Sequence, residues 1–270
     1  MPDEKTDSTS MINVSSNVLF HFTSSLDNLI NILRKDFSPR YCPEYDPYES
    51  TFAHLKKEPP ELARPMVCFC DLPLFLIKEH LNRYGPYGIG LTKEWGMKNG
   101  ITPVLYVHDW SETLKPLERI RSLGGWQQGG PDAEMESIQG NAESAANWIM
   151  SYAKAYEGPA WRNDEYLENV RFYDEREWRF TPAFLSPGID LPHWIQYTVG
   201  KDLSRANLMM EKLCTLGFLP SNIQYIILGK ESEILPFIPV LADIKSKFGP
   251  DQVSIVTTKI ITAKRIQEDT

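Results

Sequence analysis

The sequence has few cysteines and no long apolar run, and both absences restrict what the protein can be. Only four cysteines occur among 270 residues, and the first ten residues are polar and acidic rather than apolar. These features are typical of a reduced, cytoplasmic protein without a secretory signal. No apolar run reaches the roughly 18 residues that a membrane-spanning helix needs, so we expect no membrane association.

Positive charge is also scarce. The formal net charge is −8 at pH 7. Broad electrostatic binding to nucleic acid or to an anionic membrane is therefore unfavourable. If nucleic acid is involved at all, we expect it to be an acceptor substrate and not a scaffold.

Recognisable metal and phosphate motifs are missing as well. Cys68 and Cys70 lack the two-residue spacer of zinc sites, and only Cys42 or His80 could complete a ligand set. On a strand the two thiols would share one face, which is typical of buried structural cysteines. The glycine-rich stretch 124–132 lacks the Gly-Lys-Ser/Thr ending of a P-loop. We expect no metal.

Apolar periodicity predicts short strands interleaved with helices. Residues 17–23 are predicted as a strand and 24–37 as an amphipathic helix capped by Ser24 or Ser25, whereas the Pro- and Tyr-rich stretch 38–50 is predicted as a loop. Further strands are predicted at 66–73, 87–92, 103–108, 171–180, 193–199, 223–229 and 252–260, and further helices at 74–85, 93–100, 109–123, 135–157, 201–216 and 231–247. Short strands separated by irregular loops favour the α+β class.

The chain length and the pattern suggest one domain with an insertion. Residues 1–15 are predicted as a flexible tail and 16–270 as a single α+β domain. Within it, a mobile or helical insertion is predicted at about 124–165, where a glycine-rich turn precedes an alanine-containing helical stretch. Such segments are candidate lids or partner-binding elements.

The first candidate site is "FHFT" at residues 20–23, at the end of a strand. His21 and Thr23 alternate with two phenylalanines, so both polar side chains face the same way. They precede a helix whose N-terminus could help to hold an anionic phosphate. The alternative is a structural histidine with satisfied hydrogen bonds.

The second candidate site is "RYGPYGIGLT" at residues 83–92. Gly85, Gly88 and Gly90 would let a ligand approach the backbone, and Tyr84 and Tyr87 offer aromatic planes. The glycine spacing differs from that of a dinucleotide-binding loop. The alternative is that the glycines make turns and the tyrosines pack.

The third candidate site is "RFYDEREWRF" at residues 171–180. On an extended strand Glu175, Glu177 and Arg179 would share one face. Two neighbouring carboxylates tend to raise the pKa of one of them and can stabilise a cationic centre. The alternatives are a half-solvated edge strand and a structural ion-pair network, and Arg179 is the main argument for the network.

Three segments carry a resemblance to a known family. The stretches "HFTSSLDNLINILRKDFSPRYC", "VCFCDLPLFLIKEHLNRYGPYGIGLTKEWGMKNGITPVLYV" and "DEREWRFTP" resemble the AbiGi family of bacterial abortive-infection proteins. In that family a phage-defence operon pairs such a protein, the antitoxin, with a toxin. The resemblance covers most of residues 17–182. It implies a co-encoded toxin or another defence-system protein as partner.

The order of the three candidate sites also resembles the ADP-ribosyltransferase fold. That resemblance implies a split mixed sheet with flanking helices and a helical insertion, and NAD as the substrate. His21 with Thr23 would hold the nicotinamide-side ribose, and Tyr87 would stack on nicotinamide. Glu177, with Glu175 beside it, would be catalytic and stabilise an oxocarbenium-like transition state. Arg40 is assigned to the same NAD-binding set.

Two functions are therefore expected, from different classes. The first is a defence enzyme that transfers ADP-ribose from NAD to a protein or nucleic-acid acceptor, or that hydrolyses NAD. The second is a catalytically inactive antitoxin or regulatory partner that neutralises a co-encoded toxin by direct binding. In the second case the motif residues serve packing.

Overall fold

A computed structural model describes residues 15–46, 60–108, 111–123, 133–162, 165–182, 195–198 and 200–269. Its helices are α1 (Leu26–Lys35), α2 (Lys78–Tyr84), α3 (Lys93–Lys98), α4 (Lys115–Leu123), α5 (Ala133–Met150), α6 (Ser204–Leu213), α7 (Ile234–Lys245), α8 (Pro250–Thr257) and α9 (Ala263–Glu268). Its strands are β1 (Val18–Thr23), β2 (Arg40–Glu44), β3 (Leu62–Cys70), β4 (Tyr87–Thr92), β5 (Thr102–Pro103), β6 (Leu105–Val107), β7 (Ala153–Ala155), β8 (Glu157–Arg162), β9 (Glu165–Arg171), β10 (Glu177–Phe180), β11 (Ile195–Gln196), β12 (Ile223–Leu228) and β13 (Ile260–Thr262).

One mixed sheet organises the described chain. Its main path runs β13-β12-β4-β1-β3-β10-β5, and β2 and β11 also pair with β3. The β12–β13 pair is parallel, whereas β1 is antiparallel to both β3 and β4. Two small sheets, β6–β7 and β8–β9, complete the strands. The predicted α+β class with a mixed sheet and helices is confirmed.

The strand-to-helix unit at the start of the described chain forms as its sequence predicts. The Ser25 side chain accepts a hydrogen bond from the backbone of Asn28 and caps α1. Leu29 and Leu33, one turn apart on α1, are buried in the main core against the sheet. Burial of each leucine stabilises the fold by about 1.5–3 kcal/mol. This packing places the end of β1 beside α1.

The stretch 38–50, predicted as a loop, contains a strand. β2 pairs antiparallel with β3 from Arg40 opposite Met66 to Glu44 opposite Leu62. Tyr41 is buried, and Pro43 is tolerated because β2 pairs only with β3 among the described residues. The proline and tyrosine content of this stretch predicted a loop. The prediction was wrong at Arg40–Glu44 because pairing with the distant strand β3 determines the local structure.

The C-terminal prediction was wrong in a similar way. Residues 252–260, predicted as a strand, mostly form α8, and β13 starts only at Ile260. Pro250 occupies the first turn of α8, where its fixed φ and missing N–H cost nothing. Residues 135–157 were also predicted too long as a helix, because α5 ends at Met150 and β7 follows.

The predicted tail and insertion are only partly within the described chain. Residues 1–14 of the tail and 124–132 and 163–164 of the insertion lie outside the described residues. The described part of 124–165 contains α5, β7 and β8, followed by the first residue of β9. The single-domain assignment and the insertion stay predictions. Over the described ranges, no helix combines the length and apolarity needed to cross a membrane.

Candidate functional site

A cavity of about 770 Å³ lies beside the end of β1. Its wall is contributed by β1, α1, β2, β3, α2, β7, β8, α6 and the segment from Phe172 to Glu177. Pockets for small molecules typically measure about 300–1,000 Å³. Of the six predicted site residues, five line this cavity: His21, Thr23, Arg40, Glu175 and Glu177.

His21 has a defined tautomer. Its Nδ1 lies 2.8 Å from the Cys68 carbonyl oxygen, which can only accept, so Nδ1 carries the proton. Burial lowers the pKa of His21, although this hydrogen bond opposes the shift. The imidazole is therefore neutral near pH 7, and Nε2 is an acceptor. Among the described residues Nε2 has no hydrogen-bond partner.

Glu177 begins β10 and is almost fully buried. One carboxylate oxygen accepts from Nε of Arg179 at 2.5 Å, and the other accepts from Nη2 of Arg179 at 3.1 Å and from Lys154 at 2.8 Å. Burial alone raises the pKa of Glu177, but the charges and hydrogen bonds of Arg179 and Lys154 outweigh it. The pKa of Glu177 therefore lies well below its usual range, and the side chain is a paired carboxylate.

Glu175 reaches the same cluster from a different element. Residues Phe172–Glu175 form a 3-10 turn, and Arg176 has a left-handed backbone with φ 46°. The strand predicted for 171–180 therefore exists only from Glu177 onward, because the turn at Arg176 interrupts it. The Glu175 carboxylate accepts from Lys154 at 2.8 Å, Tyr84 at 2.9 Å and Arg83 at 3.1 Å.

Two residues of the cluster were missed from the sequence. Lys154, at the centre of β7, bridges Glu175 and Glu177 and offsets part of their negative charge. Glu44, at the end of β2, binds Arg179 through both carboxylate oxygens. Burial lowers the pKa of Lys154, but the three carboxylates outweigh it and raise that pKa well above its usual value. No local sequence pattern indicates that Lys154 belongs to the site. The alternation of Cys42 and Glu44, by contrast, could have indicated the strand β2.

We call these residues the cavity cluster: Glu44, Lys154, Glu175, Glu177 and Arg179. With Arg83 it contains three carboxylates and three cations, so its formal charge is balanced. Arg179 is fully buried and also donates to the Ser151 carbonyl at 2.9 Å. The cluster joins β2, β7 and β10, and all of its members except Arg179 line the cavity.

Tyr87 is not brought into the cavity. It lies on β4, three strands from β10 in the sheet order, which corresponds to about 14 Å. Its hydroxyl donates to Glu233 at 3.0 Å, and its ring packs against the main core. Tyr84 occupies the cavity wall instead and holds Glu175.

Other candidate sites are weaker. A second cavity, of about 540 Å³ and lined mainly by apolar side chains including Trp148 and Tyr152, contains none of the predicted site residues. Cys68 and Cys70 carry free thiols, and burial raises the pKa of both. Within the described ranges, no group of three or more His, Cys, Asp or Glu residues could hold a metal ion.

The fold and the site define an α+β protein with a ligand-sized cavity whose wall includes a buried ion-pair cluster. A family model described as "Putative abortive phage resistance protein AbiGi, antitoxin" matches residues 35–229. The chain therefore belongs to the AbiGi family. The matched segment includes the whole cavity cluster, whereas His21 and Thr23 precede it.

A curated relative supports this assignment. The chain is similar to "Abortive phage resistance protein AbiGi" of Lactococcus lactis subsp. cremoris, with 28% identity over 258 residues. The alignment covers 86% of this chain and 99% of that protein. No solved structure matches the chain.

Proposed function

We propose that this protein acts in abortive phage infection as an antitoxin that neutralises a co-encoded toxin by direct binding. The observation that carries the proposal is the state of Glu177. Both of its oxygens are bound by Arg179 and Lys154 inside a charge-balanced cluster. A carboxylate held in this way ties strands together, and its negative charge is already compensated before any substrate arrives.

The family description supports the same function. It names an antitoxin, and the curated relative is named for resistance to phage. A toxin encoded in the same operon is therefore the expected partner. A direct-binding antitoxin needs a folded chain but no catalytic carboxylate.

Co-expression with the adjacent toxin gene tests this proposal. We expect the wild-type chain to restore growth and to co-purify with the toxin in a defined ratio. His21→Ala, which alters the cavity but not the cavity cluster, should protect cells equally well. Failure to form a complex, or loss of protection with His21→Ala while the variant remains folded, would contradict the proposal.

A second candidate is transfer of ADP-ribose from NAD to a protein or nucleic-acid acceptor, or hydrolysis of NAD, on an ADP-ribosyltransferase-like fold. One observation favours it: His21, Thr23, Arg40, Glu175 and Glu177 share one cavity. The fit to NAD is poor at two points. Tyr87 lies elsewhere, and Arg40 is the one cavity-lining cation without an ion pair among the described residues, so the diphosphate has little positive charge to meet.

Calorimetry with NAD separates the two candidates. Saturable binding that is lost in His21→Ala, followed by nicotinamide release that is lost in Glu177→Gln, would support the enzyme. Circular dichroism must show that Glu177→Gln still folds, because this change also disturbs Arg179. If the wild-type protein neither binds NAD at about 1 mM nor consumes it, the enzyme candidate is excluded and the antitoxin candidate remains.

A further inference from the structure

The charges that line the cavity are a clue to its ligand. Carboxylates outnumber cations in the wall: Asp36, Glu44, Glu175, Glu177 and Glu211 against Lys35, Arg40 and Lys154. Lys35 is paired with Glu211 at 3.0 Å, and Lys154 is held by the cavity cluster. Arg83 and Arg179, which do not line the cavity, balance the remaining carboxylates of the cavity cluster. Among the described residues of the wall, Arg40 is therefore the one cation without a carboxylate partner, and a phosphate or diphosphate would find little unpaired positive charge to offset its desolvation.

The hydrogen-bonding capacity of the wall points to a donor on the ligand. Nε2 of His21 is an acceptor, as its tautomer requires, and Thr23 on the same strand face offers a hydroxyl that can donate or accept. The lowered pKa of His21 keeps the ring neutral at physiological pH. A hydroxyl or amine N–H on the ligand is the complementary group.

Aromatic side chains make up much of the remaining wall. The ring of His80 lies 5.8 Å from that of Phe22 and 5.7 Å from that of Tyr84, and Trp161 and Phe172 belong to the same cavity. Such surfaces stack with flat heteroaromatic rings, and this stacking is favourable beyond the burial of apolar area. The Tyr84 side chain is more than one-third exposed and therefore reachable from solvent.

We propose that this cavity binds an uncharged or cationic heteroaromatic ligand that donates a hydrogen bond to Nε2 of His21, the chemistry of a nucleoside without phosphate. The inference does not depend on toxin binding. It competes with NAD as the ligand, since it follows from how little unpaired positive charge the described residues of the wall carry. A site of this kind gives an antitoxin a means of responding to the nucleoside pool of the cell.

Calorimetry on the purified full-length chain tests the proposal with adenosine, guanosine, cytidine and thymidine, each against its 5′-monophosphate, and with NAD. We expect at least one nucleoside to bind saturably and its monophosphate to bind about tenfold or more weakly, a difference of about 1.4 kcal/mol. Affinity for the nucleoside should change little with salt, because no ion pair forms.

Three cavity variants sharpen the test. His21→Leu removes the acceptor and should weaken nucleoside binding about three- to tenfold, the value of one hydrogen bond. His21→Gln retains an acceptor and should lose less. Trp161→Ala should weaken binding through lost stacking. His108→Leu, at an exposed histidine that does not line the cavity, is the matched control and should bind as the wild type does.

Several results would overturn the proposal. One is the absence of binding by every nucleoside at about 5 mM, which is beyond the weak end of specific affinities. Another is a monophosphate that binds as tightly as its nucleoside. Tighter binding of NAD would also overturn it and would favour the enzyme candidate, whereas toxin neutralisation is unaffected by any of these results. If all three cavity variants fail to fold, the comparison of phosphorylated and unphosphorylated ligands on the wild type decides.

Discussion

Two clusters of buried ion pairs among the described residues differ in one respect, since only one of them lines a cavity. In the cavity cluster, Arg179 is shared by Glu44 and Glu177, and both of these carboxylates line the ligand-sized space. In the other region, which we call the Asp46 cluster (Asp46, Arg64 and Arg121), Asp46 is bound by Arg64 at 2.8 Å and by Arg121 at 3.0 Å. The Asp46 cluster lines neither of the two cavities described above.

The comparison shows what buried charge means in this protein. Both clusters connect segments that are distant in sequence, and in both every carboxylate is paired with a cation. Buried ion pairs alone therefore do not mark a functional site here, because they occur equally well as structural connections. The distinguishing features are the adjacent cavity, the free acceptor of His21 and the aromatic wall.

Arg179→Met should have the largest effect on stability. It leaves Glu44 and Glu177 without their main cation in a buried setting, which we expect to lower the free energy of unfolding by about 3–5 kcal/mol. Urea unfolding followed by fluorescence measures the change. Lys98→Met, at an exposed i,i+4 pair with Glu94, is the control and should change stability by no more than about 0.5 kcal/mol. A loss below about 1 kcal/mol for Arg179→Met would show that the cavity cluster is not a structural connection.

Arg64→Met should have a smaller effect. Asp46 keeps its bond to Arg121, so the carboxylate is not left without a cation, and we expect a loss of about 1–3 kcal/mol. The same urea titration measures it. Combining Arg64→Met with Arg121→Met should then cost more than the sum of the single changes, because Asp46 loses both arginines. If Arg64→Met were less stable than Arg179→Met, the Asp46 cluster would contribute more to stability than the cavity cluster, which is the reverse of what we expect.

Acid should destabilise the protein through Glu177. The pKa of Glu177 in the folded chain lies well below the unfolded value of 4.5, so the unfolded chain binds more protons. Stability should therefore decline as pH falls below about 4.5 and should continue to fall toward the folded pKa. Thermal melts across this range measure the decline. Glu177→Gln should show a shallower slope, and an unchanged slope would mean that Glu177 is not held as a paired carboxylate.

His21 should produce the smallest of these effects, at higher pH. Its pKa in the folded chain is lowered from 6.5, mainly by burial, so the unfolded chain takes up the proton first. Stability should decline as pH falls below about 6.5, before the range in which Glu177 acts. Thermal melts of the wild type and of His21→Gln between about pH 6.5 and pH 4.5 test this. The same decline in both proteins would assign it to another group.

Local segments of the fold were predictable, whereas its connections were not. The Ser25 cap, the buried leucines of α1, and the pattern of β4 and α3 follow from residues adjacent in sequence. β2 and α8 were missed because their conformation depends on pairing or packing with distant segments. The hydrogen bonds between β2 and β3 outweigh the loop preference of a Pro- and Tyr-rich stretch.

The site was predictable to a similar extent. Alternation on β1 predicts that His21 and Thr23 share one face of the strand, and both line the cavity. Glu175 and Glu177 do meet, although not through the strand that their spacing suggested, since the turn at Arg176 separates them. Tyr87 was assigned through a resemblance, and its position three strands from β10 shows that a shared order of motifs does not ensure convergence.

The sequence by itself determined the α+β class, the strand-to-helix unit at β1 and α1, and the resemblance to the AbiGi family. Short-range forces are enough for the helix cap and for strand alternation, and the family resemblance depends only on the residues present. Only the tertiary structure decided that Lys154 bridges Glu175 and Glu177 and that Glu44, 135 residues before Arg179, completes its ion pairs. Such contacts form only after distant strands have assembled, because the cost of burying each charge is offset by partners that no local pattern encodes.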